Sequence, residues 1–558
     1  MRNRAALLAA ALVAAFAAIP SVAAAADTFV DDDTGNNANP CTAPGAPCQS
    51  IITAVSIAGP DDTVHVDGGD YAEFVSLTNG KSLVEEDFNS GDGDLQATID
   101  PGALGPAMAV PAGGAAGEIR GFTLRSDAVP VSLEGPANLT GNTFDDPDAN
   151  THVNLLQGSG AASITGNTFT DNPTDTDDQN GISSLTSGSP TISGNTFENL
   201  GIPVSIVIGS PSVSGNTITG TRAPTASQGL ALRVSLDATP TIVANDIHSP
   251  AGPGLVFGVR IVEDTTTVAD TGATLRRNEI YDHAAGVDVR DTTGPVTLNG
   301  DVIAGGDTGL FLLDSPPNDP GVGDVEATNV TVSGNTGNDV FPNATHLTLD
   351  SSIVGAEIND FNGTCEITFS RGPVINSTPS GCDAFQTTAA PQFVNPGADN
   401  YHLQAGSPMI DAGNPANPGF TQDLDGGPRA VDGNCDGSAR RDIGADERSV
   451  TCPGPPPPPA PPPPPATDDD PPETEITKAP NRKTRKRKAK FKFTSDEPGS
   501  SFECKLDNKE FRPCAPSFRK KVKRKRHKFQ VKAIDGAGNE DATPATHRWK
   551  VKKQRKRG

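Results

Sequence analysis

A six-residue pattern, in which two apolar side chains flank a polar bend, recurs along the first two thirds of the chain. One copy reads Leu139-Thr-Gly-Asn142-Thr-Phe144, and the next reads Ile164-Thr-Gly-Asn167-Thr-Phe169. Further copies occupy residues 192–197, 213–218, 242–247, 275–280 and 298–303, and a shortened copy occupies residues 332–335. This alternation predicts two short β-strands, each with one buried side chain, joined by a sharp bend.

The Asn or Asp at the bend returns every 21 to 34 residues, which is a period typical of a solenoid. Asn tolerates the left-handed backbone conformation that a sharp bend needs, so we expect the Asn to adopt it. Stacked coils would place each bend above the last, and the side-chain amides are then expected to form a hydrogen-bonded ladder. The predicted members of this ladder are Asn142, Asn167, Asn195, Asn216, Asn245 and Asn278.

Another apolar alternation, opened by glycine, recurs between the bends. It begins at Gly181, Gly201, Gly229, Gly286 and Gly309. It predicts one more strand per coil with one buried face. A β-propeller or a β-sandwich is the alternative, but neither tryptophans nor hairpin signatures recur, so the pattern favours an all-β solenoid.

The segment near the start of these repeats carries a family resemblance. Pro60-Asp-Asp-Thr-Val64-His-Val66, followed by Gly69-Asp-Tyr71-Ala-Glu73 and preceded by a short helix near residues 51–58, resembles the opening of right-handed parallel β-helices of the pectate lyase-like superfamily. The resemblance implies that residues 27–397 form such a β-helix. It is specific for the fold and weak for function, since many surface β-helices have no assigned chemistry.

Three motifs follow the repeats in order, at residues 405–413, 423–429 and 442–447. Together they resemble the segment called choice-of-anchor Q, which follows β-helices in bacterial surface proteins. The resemblance implies that residues 398–452 cap the last coil, whose edge would otherwise be open to aggregation.

The last part of the chain differs in composition. Residues 453–472 are Pro-rich and predict an extended spacer, for which binding of a polyproline reader is the alternative. Residues 473–553 resemble a bacterial Ig-like or fibronectin-like β-sandwich, in which Trp549 is expected to fill the core, and residues 554–558 are a basic tail. The motifs that carry this resemblance lie at residues 495–499, 502–507, 511–514 and 533–539.

Composition supports this organisation. The 59 glycines, 50 prolines and 5% aromatic residues suit short strands and many turns better than a helical fold.

Residues 1–26 predict a secretory signal peptide, because Arg2 and Arg4 precede a short apolar run and alanines follow at 24–26. A membrane anchor is the alternative, but the apolar run is shorter than the roughly 20 residues that a span needs. We therefore expect a secreted or cell-surface-associated protein.

The eight cysteines fall into local pairs, and disulfides are expected after export. The predicted pairs are Cys41–Cys48, Cys365–Cys382, Cys435–Cys452 and Cys504–Cys514. Zinc binding is the alternative, but the spacing contains no C-x-x-C motif.

The net charge of −25 conceals two opposite regions. Residues 473–558 contain 28 Lys and Arg against 10 Asp and Glu, whereas the remainder contains 16 against 59. The basic region predicts either a solvated face or contact with anionic wall polymer, acidic polysaccharide or an acidic neighbour. Sequence-specific nucleic-acid binding is not expected, because few aromatic residues are available for stacking on bases. We expect a monomer.

Acidic residues of the capping segment suggest one candidate cofactor, calcium, because clustered carboxylates in Gly-rich loops suit this cation. The candidate ligands are Asp423, Asp425, Asp432 and Asp436. The alternative is a structural turn held by an ion pair between Arg429 and Glu447. No other cofactor is predicted.

Catalysis is the least determined property. The β-helix resemblance implies that a lyase would use Arg as its base with acidic residues holding calcium, and the candidates are Asp282, His283, Asp288, Arg290 and Arg233. Asp288 and Arg290 would share one face of a strand, and an exposed ion pair without a catalytic role is the alternative.

The sequence patterns of other β-helix enzymes are missing or incomplete. The paired-Asp pattern of polygalacturonases is absent, and residues 69–73 match only a fragment of the pectin methylesterase pattern. A non-catalytic glycan-binding or adhesion protein is favoured over a polysaccharide lyase, hydrolase or epimerase.

Overall fold

The computed structural model places most of the chain in two compact units, Met1–Pro453 and Gly454–Gly558. The structure describes residues 27–88, 96–145, 151–171, 180–220, 229–249, 256–263, 270–314, 324–356, 358–359, 363–373, 382, 385–416, 420–452 and 468–553. The predicted signal peptide, most of the Pro-rich spacer and the basic tail lie outside the described residues.

The first unit is a solenoid of three parallel sheets, which we name A, B and C in the order in which each coil visits them. Sheet A comprises Thr28–Val30, Thr63–Val66, Lys81–Glu85, Ala116–Arg120, Asn138–Thr140, Ser163–Thr165, Thr191–Ser193, Ser212–Ser214, Thr241–Val243, Ala273–Arg276, Val296–Asn299, Val325–Thr328, His346–Asp350 and Thr364–Thr368. Sheet B comprises Gly69–Tyr71, Ala97–Ile99, Thr123–Leu124, Thr143–Asp145, Thr168–Thr170, Thr196–Glu198, Thr217–Thr219, Asp246–His248, Glu279–Tyr281, Val302–Ala304, Thr331–Ser333 and Ile353–Val354. Sheet C comprises Val75–Ser76, Met108–Val110, Val131–Leu133, Thr151–Leu155, Asn180–Ser184, Ile202–Gly209, Leu230–Ala238, Phe257–Val262, Ala285–Arg290, Thr308–Leu313 and Val340–Asn343.

The repeated apolar positions stack directly above one another inside the solenoid. The rings of Phe144 and Phe169 are 4.5 Å apart, and those of Phe169 and Phe197 are 4.7 Å apart, both stacked. Ile218 continues this column in the next coil. All four side chains are fully buried. Because parallel strands in register place like residues at the strand spacing of about 4.8 Å, one six-residue pattern generates a continuous apolar core.

The predicted ladder of Asn side chains is confirmed at the bend between sheets A and B. The Asn142 amide donates from Nδ2 to the Ile119 carbonyl at 2.9 Å and to Oδ1 of Asn167 at 3.0 Å. The same pair of bonds recurs at each predicted Asn down to Asn278, whose Nδ2 donates to Oδ1 of Asp301. The buried side-chain amides of the ladder therefore have hydrogen-bond partners, as burial requires.

The prediction that the Asn itself adopts the left-handed conformation is wrong. The preceding residue does so, with φ of 62° at Gly141 and 53° at Ala244. The Asn side chain must point into the solenoid to reach the carbonyl below it, so the residue before it turns the chain. Glycine suits that position because it has no Cβ to clash.

The prediction that residues 332–335 form a shortened copy of the bend is also wrong. Val332 lies in sheet B beside Ile303, and the residue at the bend of that coil is Val330. Asn335 instead lies beyond sheet B, where its Nδ2 donates to Asp339 at 2.7 Å. The ladder therefore ends at Asp301. At the bends of the following coils, the Ser352 hydroxyl accepts a hydrogen bond from the backbone N–H of Val330 at 3.0 Å.

The helix Ile51–Ile57 precedes the first complete coil, and Glu73 holds its N-terminus. The Glu73 carboxylate accepts from the backbone N–H groups of Ile51 and Ile52, each at 2.9 Å. Ser50 caps the same end through its hydroxyl. Glu73 belongs to the motif that resembles a pectin methylesterase fragment, and here it has a structural role. A carboxylate at a helix N-terminus accepts from the free N–H groups and interacts favourably with the helix dipole.

We expect Glu73→Ala to lower the free energy of unfolding of the first unit by about 1–2 kcal/mol, because two N–H groups lose a charged acceptor. Denaturant unfolding followed by circular dichroism measures this loss. Glu118→Ala is the control, since Glu118 is exposed and its carboxylate lies 3.5 Å from Arg120 in a surface ion pair. Equal midpoints for both variants would contradict the capping role.

The sequence predicted that residues 398–452 cap the last coil. The structure places this segment along the outer face of sheet B as well. Tyr401 and Ala445 pack against Tyr281, Val302 and Ala304 of that sheet. The two short strands Phe393–Asn395 and Asn400–Leu403 pair antiparallel at the start of this layer, around the 3₁₀ turn Pro396–Ala398. A second 3₁₀ turn lies at Gly102–Leu104. This segment therefore buries the apolar side chains that point outward from sheet B in these coils, which would otherwise be exposed to solvent.

Arg429 and Glu447, which the sequence suggested as an ion pair, each bond to backbone groups instead. Arg429 is 1% exposed and donates to the carbonyls of Gly444 at 2.9 Å and Ala445 at 2.7 Å. Glu447 accepts from the backbone N–H groups of Val431 and Asp442. Within the described part of the chain these two side chains are near one another but share no hydrogen bond, because backbone groups take their polar atoms.

Four disulfides join the same cysteine pairs that the sequence predicts. Among the described residues, no helix is long and apolar enough to cross a membrane.

The second unit packs two small sheets around aromatic residues. One sheet has the strands Thr474–Lys478, Lys488–Ser495 and Ser517–Lys521. The other, which we name sheet D, has the strands Lys483–Thr484, Ala545–Val551, Arg526–Ile534, Ser501–Leu506 and Arg512–Pro513. Phe491, Phe529 and Trp549 are buried between them. Trp549 fills this core as predicted, with its ring 5.3 Å from that of Phe491.

Candidate functional site

A row of outward-facing residues on sheet C brings several charged side chains together. Arg233, Arg260 and Asp288 are register partners on three successive coils, and Phe311 follows on the fourth. Side chains two apart on a strand share a face, so Arg290 lies beside Asp288 on the same side. The long strands of these coils therefore bring three guanidinium groups and one carboxylate together.

Asp288 is enclosed by two of these arginines. Arg260 donates from Nε to Oδ2 of Asp288 at 2.5 Å, and Arg290 donates from Nε to Oδ1 at 2.8 Å and to Oδ2 at 3.0 Å. The Asp288 side chain has no exposed surface, whereas 14% of Arg260 and 32% of Arg290 is exposed. A fully buried carboxylate needs such partners, because an unpaired one would be strongly destabilising.

Each of the two guanidinium groups lies near one aromatic ring. The Arg260 guanidinium lies 3.8 Å from the centroid of Phe257, and that of Arg290 lies 5.0 Å from the centroid of Phe311. The ring of Phe311 stacks on Phe341 of the next coil at 5.1 Å. Both Phe311 and Phe341 are partly exposed. The site thus combines cations with apolar rings at the protein surface, which favours cation–π contacts.

The electrostatics of the cluster limit its chemistry. Burial lowers the pKa of Arg260, and the adjacent Asp288 carboxylate opposes that change. Both oxygens of Asp288 accept bonds from cations, so this carboxylate is poorly placed to act as a nucleophile or a general base. The arrangement is suited to holding anionic or hydroxyl-rich groups with its arginines.

The sequence pattern indicated Asp288, Arg290 and Arg233, but it missed Arg260 and gave Arg233 the wrong register. Arg233 aligns with Asp288, not with Arg290, and it lies two coils away. An alignment of Gly258-Val-Arg260 with Gly286-Val-Asp288 is the signal that places Arg260 beside Asp288 from the sequence alone. The expected exposed ion pair is also wrong in one respect, since Asp288 is fully buried.

Asp282 and His283 lie away from this face. His283 is 2% exposed with Nε2 3.4 Å from the Ile247 carbonyl, and burial lowers its pKa to about 4. Asp282 lies near His248 and Asp399, where ligand atoms of all three come within 4.8 Å of one another. Burial and the Asp399 charge raise the pKa of Asp282. The five sequence candidates therefore do not form one site.

The four predicted calcium ligands occupy two separate loops. Asp423 accepts from the Gly427 N–H at 2.6 Å, and Asp425 lies 3.0 Å from Nε2 of His402. Asp432 accepts from the backbone N–H groups of Asp436 and Gly437. Among the described residues, no potential metal-binding group contains more than one of these four carboxylates. Calcium binding by this segment stays a prediction.

Two cavities in the described part of the second unit are lined by many cations. One has a volume of about 710 Å³ and is lined by Lys478, Lys488, Lys490 and Lys521 among others. The other has a volume of about 570 Å³ and is lined by seven Lys or Arg residues, one Asp and Trp549. The basic clusters seen in the sequence therefore form concave sites as well as solvated faces.

Comparison with known families agrees with the topology. Residues 151–320 match a family model described as a right-handed β-helix region. The first unit is a right-handed parallel β-helix. The matched region contains most of the Asn ladder and the whole Arg260–Asp288–Arg290 cluster. No curated protein matches the chain.

Solved structures with similarity to the chain include three that are described as enzymes or sugar complexes. Pectate lyase Pel9A is 12% identical, with 76% of this chain and 96% of that chain covered and a TM-score of 0.35. The GH136 lacto-N-biosidase from Eubacterium ramulus is 10% identical, with 61% and 68% covered and a TM-score of 0.35. XylC, solved with xylose, is 8% identical, with 66% and 87% covered and a TM-score of 0.34. At such identities the similarity concerns the fold alone.

Proposed function

We propose that this chain is an exported protein that binds an acidic polysaccharide along the outer face of sheet C without cleaving it. The observation that carries the proposal is the row of Arg233, Arg260 and Arg290, in which the last two enclose the buried Asp288 carboxylate and Phe311 lies beside them. Arginine forks pair with carboxylates in two-point contacts, and a partly exposed ring such as that of Phe311 can pack against the apolar face of a sugar.

The charge of the rest of the chain sharpens this proposal. Outside residues 473–558 the acidic residues outnumber the basic ones by 59 to 16, so an anionic polymer is repelled by most of the surface. The arginine row of sheet C is a local exception. An acidic chain would therefore bind along this row and would not spread over the whole β-helix.

The basic second unit completes the proposal as a tether. Its many exposed Lys and Arg residues favour contact with anionic polymer at a cell surface, and this attraction weakens as salt is added. The choice-of-anchor Q resemblance of residues 398–452 and the Ig-like resemblance of residues 473–553 are consistent with such a location. The four disulfides support export into an oxidising environment.

Binding to the sheet C face is tested with Arg290→Gln, because part of this side chain is exposed. We expect its affinity for polygalacturonate to fall by about tenfold, since one charge-assisted hydrogen bond is lost. Calorimetric titration of the full chain measures it. Arg120→Gln is the matched control, because Arg120 is an exposed arginine on sheet A. Unchanged affinity in Arg290→Gln would exclude this face.

A polysaccharide lyase is the second candidate, favoured by one observation. Burial lowers the pKa of Arg260, which favours loss of its proton, and the neutral guanidine that results would be the form able to accept a proton from a sugar ring. The purified chain would be incubated with acidic and neutral polysaccharides, with and without calcium, and assayed for unsaturated products and new reducing ends. Cleavage that disappears in Arg260→Gln but persists in Arg120→Gln would replace the binding proposal with an enzymatic one.

A further inference from the structure

The smaller basic cavity of the second unit lies beside sheet D, and most of its cations belong to paired strands. Lys483, Lys550 and Arg526 are register partners on three adjacent strands. Lys528 and Arg548 form the next cross-strand pair. All five belong to strands, so their positions relative to one another are set by the backbone hydrogen bonds of the sheet.

This arrangement is unfavourable for the isolated protein. Like charges directly opposite one another on neighbouring strands repel and destabilise the sheet. A bound anion removes that repulsion, because it attracts all of the cations at once. The clustering of like charges is therefore better explained by a ligand than by sheet stability.

The single carboxylate of the cavity does not neutralise the cluster. Asp507 lies 2.8 Å from Nδ1 of His527 and 3.7 Å from the Lys525 amine, and its other oxygen accepts from the Lys528 backbone N–H. These contacts tie the turn at Asp507 to the start of the Arg526–Ile534 strand. Asp507 shapes the cavity edge, while the strand cations keep a strong positive charge.

Trp549 lies between Arg548 and Lys550 on one strand and is among the residues around the cavity. Side chains alternate along a strand, so its indole packs in the core between the two sheets while the two cations lie on the other side. A ligand held by these cations therefore contacts the strand that carries the indole.

We propose that this cavity, formed by Arg482, Lys483, Arg526, Lys528, Arg548 and Lys550, binds phosphate groups of a phosphodiester-linked surface polymer. The inference rests on the proposed tethering function and assigns it a site and a ligand chemistry. A phosphate offers acceptor oxygens in several directions, whereas a carboxylate offers two in one plane. The cations that line the cavity come from three adjacent strands, from Arg482 just before one of them and from the loop at Lys525, so they can pair with phosphate oxygens that point in different directions.

The single tryptophan of the chain lies between two of these cations on one strand, so its fluorescence can report on binding at the cavity. The full chain would be titrated with a short poly(glycerol phosphate) and, separately, with polygalacturonate of equal charge, while Trp549 fluorescence and heat release are recorded. We expect a saturable fluorescence change with the phosphate polymer. Polygalacturonate, which is expected on sheet C, should release heat without that change. An equal fluorescence response to both polymers would overturn the choice of phosphate.

Two double variants of equal charge change locate the site. Arg548→Gln with Lys550→Gln should weaken binding of the phosphate polymer by at least about tenfold and reduce its salt slope by about two. Lys488→Gln with Lys490→Gln removes two exposed cations from the other cavity and should change affinity by less than about threefold. Equal losses in both variants would mean diffuse attraction and would overturn the cavity while leaving the tether intact. No binding of either polymer by the full chain would overturn the tether as well.

Discussion

Asn216→Ala is expected to lower the free energy of unfolding of the β-helix by about 3–5 kcal/mol, because each buried polar group that loses its partner costs about 1–3 kcal/mol. The Asn216 side chain accepts from the N–H and Nδ2 groups of Asn195 and donates to the Ile192 carbonyl. It also donates to Oδ1 of Asn245. Alanine removes all of these bonds at a buried position.

Two further variants show whether the ladder is the cause. Asn216→Asp keeps the acceptor oxygen but loses the amide donor, so we expect most of the loss to remain. Asn154→Ala changes an Asn on the outer side of sheet C and should cost less than about 0.5 kcal/mol. Urea unfolding of the full chain followed by far-ultraviolet circular dichroism measures all three. A loss at Asn216 no larger than at Asn154 would show that the ladder contributes little to stability.

The β-helix is also expected to lose stability as the pH rises from about 5 to about 8.5, by about 2–5 kcal/mol. Burial raises the pKa of Asp301 to about 7, of Asp442 to about 7 and of Glu447 to about 8. Each folded pKa lies above the unfolded value of about 4. The stabilisation is therefore fully present below about pH 4 and disappears as the pH passes the folded values.

The groups around these carboxyls fix the direction of the effect. Asp442 faces Glu447 and raises its pKa further, while Arg429 lowers it. Arg429 itself has a pKa of about 10, lowered chiefly by burial, so it stays charged throughout this interval. His283 acts in the opposite direction below about pH 6.5, because a buried neutral His must take up a proton on unfolding.

Chemical denaturation at several pH values tests this dependence. Circular dichroism follows the β-helix, and fluorescence of Trp549 follows the second unit separately. Glu447→Gln cannot ionise, so it should flatten the pH profile even though it loses one acceptor for a backbone N–H. Stability that is constant or increases over the same interval in the parent chain would show that these carboxyls are not buried as described.

Much of the fold could be predicted because each coil repeats its own local pattern. The alternation in residues 139–144 and 164–169 indicated the strands of sheets A and B, and the intervening Gly-led alternations indicated sheet C. The intervals between cysteines indicated the disulfide pairs. Such features depend on neighbours in sequence, and in a solenoid neighbours in sequence are also neighbours in the core.

Register between coils could be predicted only where the pattern was intact. Residues 332–335 match the bend motif in their letters, whereas strand pairing places Val330 at the bend. The loops between bends vary in length, so a match in letters does not fix which residues stack. The same uncertainty hid Arg260, whose partner Asp288 lies 28 residues further along the chain.

The sequence by itself determined that this protein is an all-β solenoid with a polar ladder, four disulfides and a basic final module. Only the tertiary structure decided that Asp288 is enclosed by Arg260 and Arg290, that Asp282 and His283 lie elsewhere, and that residues 398–452 cover sheet B. The physical reason is the difference in range. Strand alternation and bends are set by each residue and its neighbours, whereas charge pairing and surface cover depend on which coils lie in register and which apolar faces remain exposed.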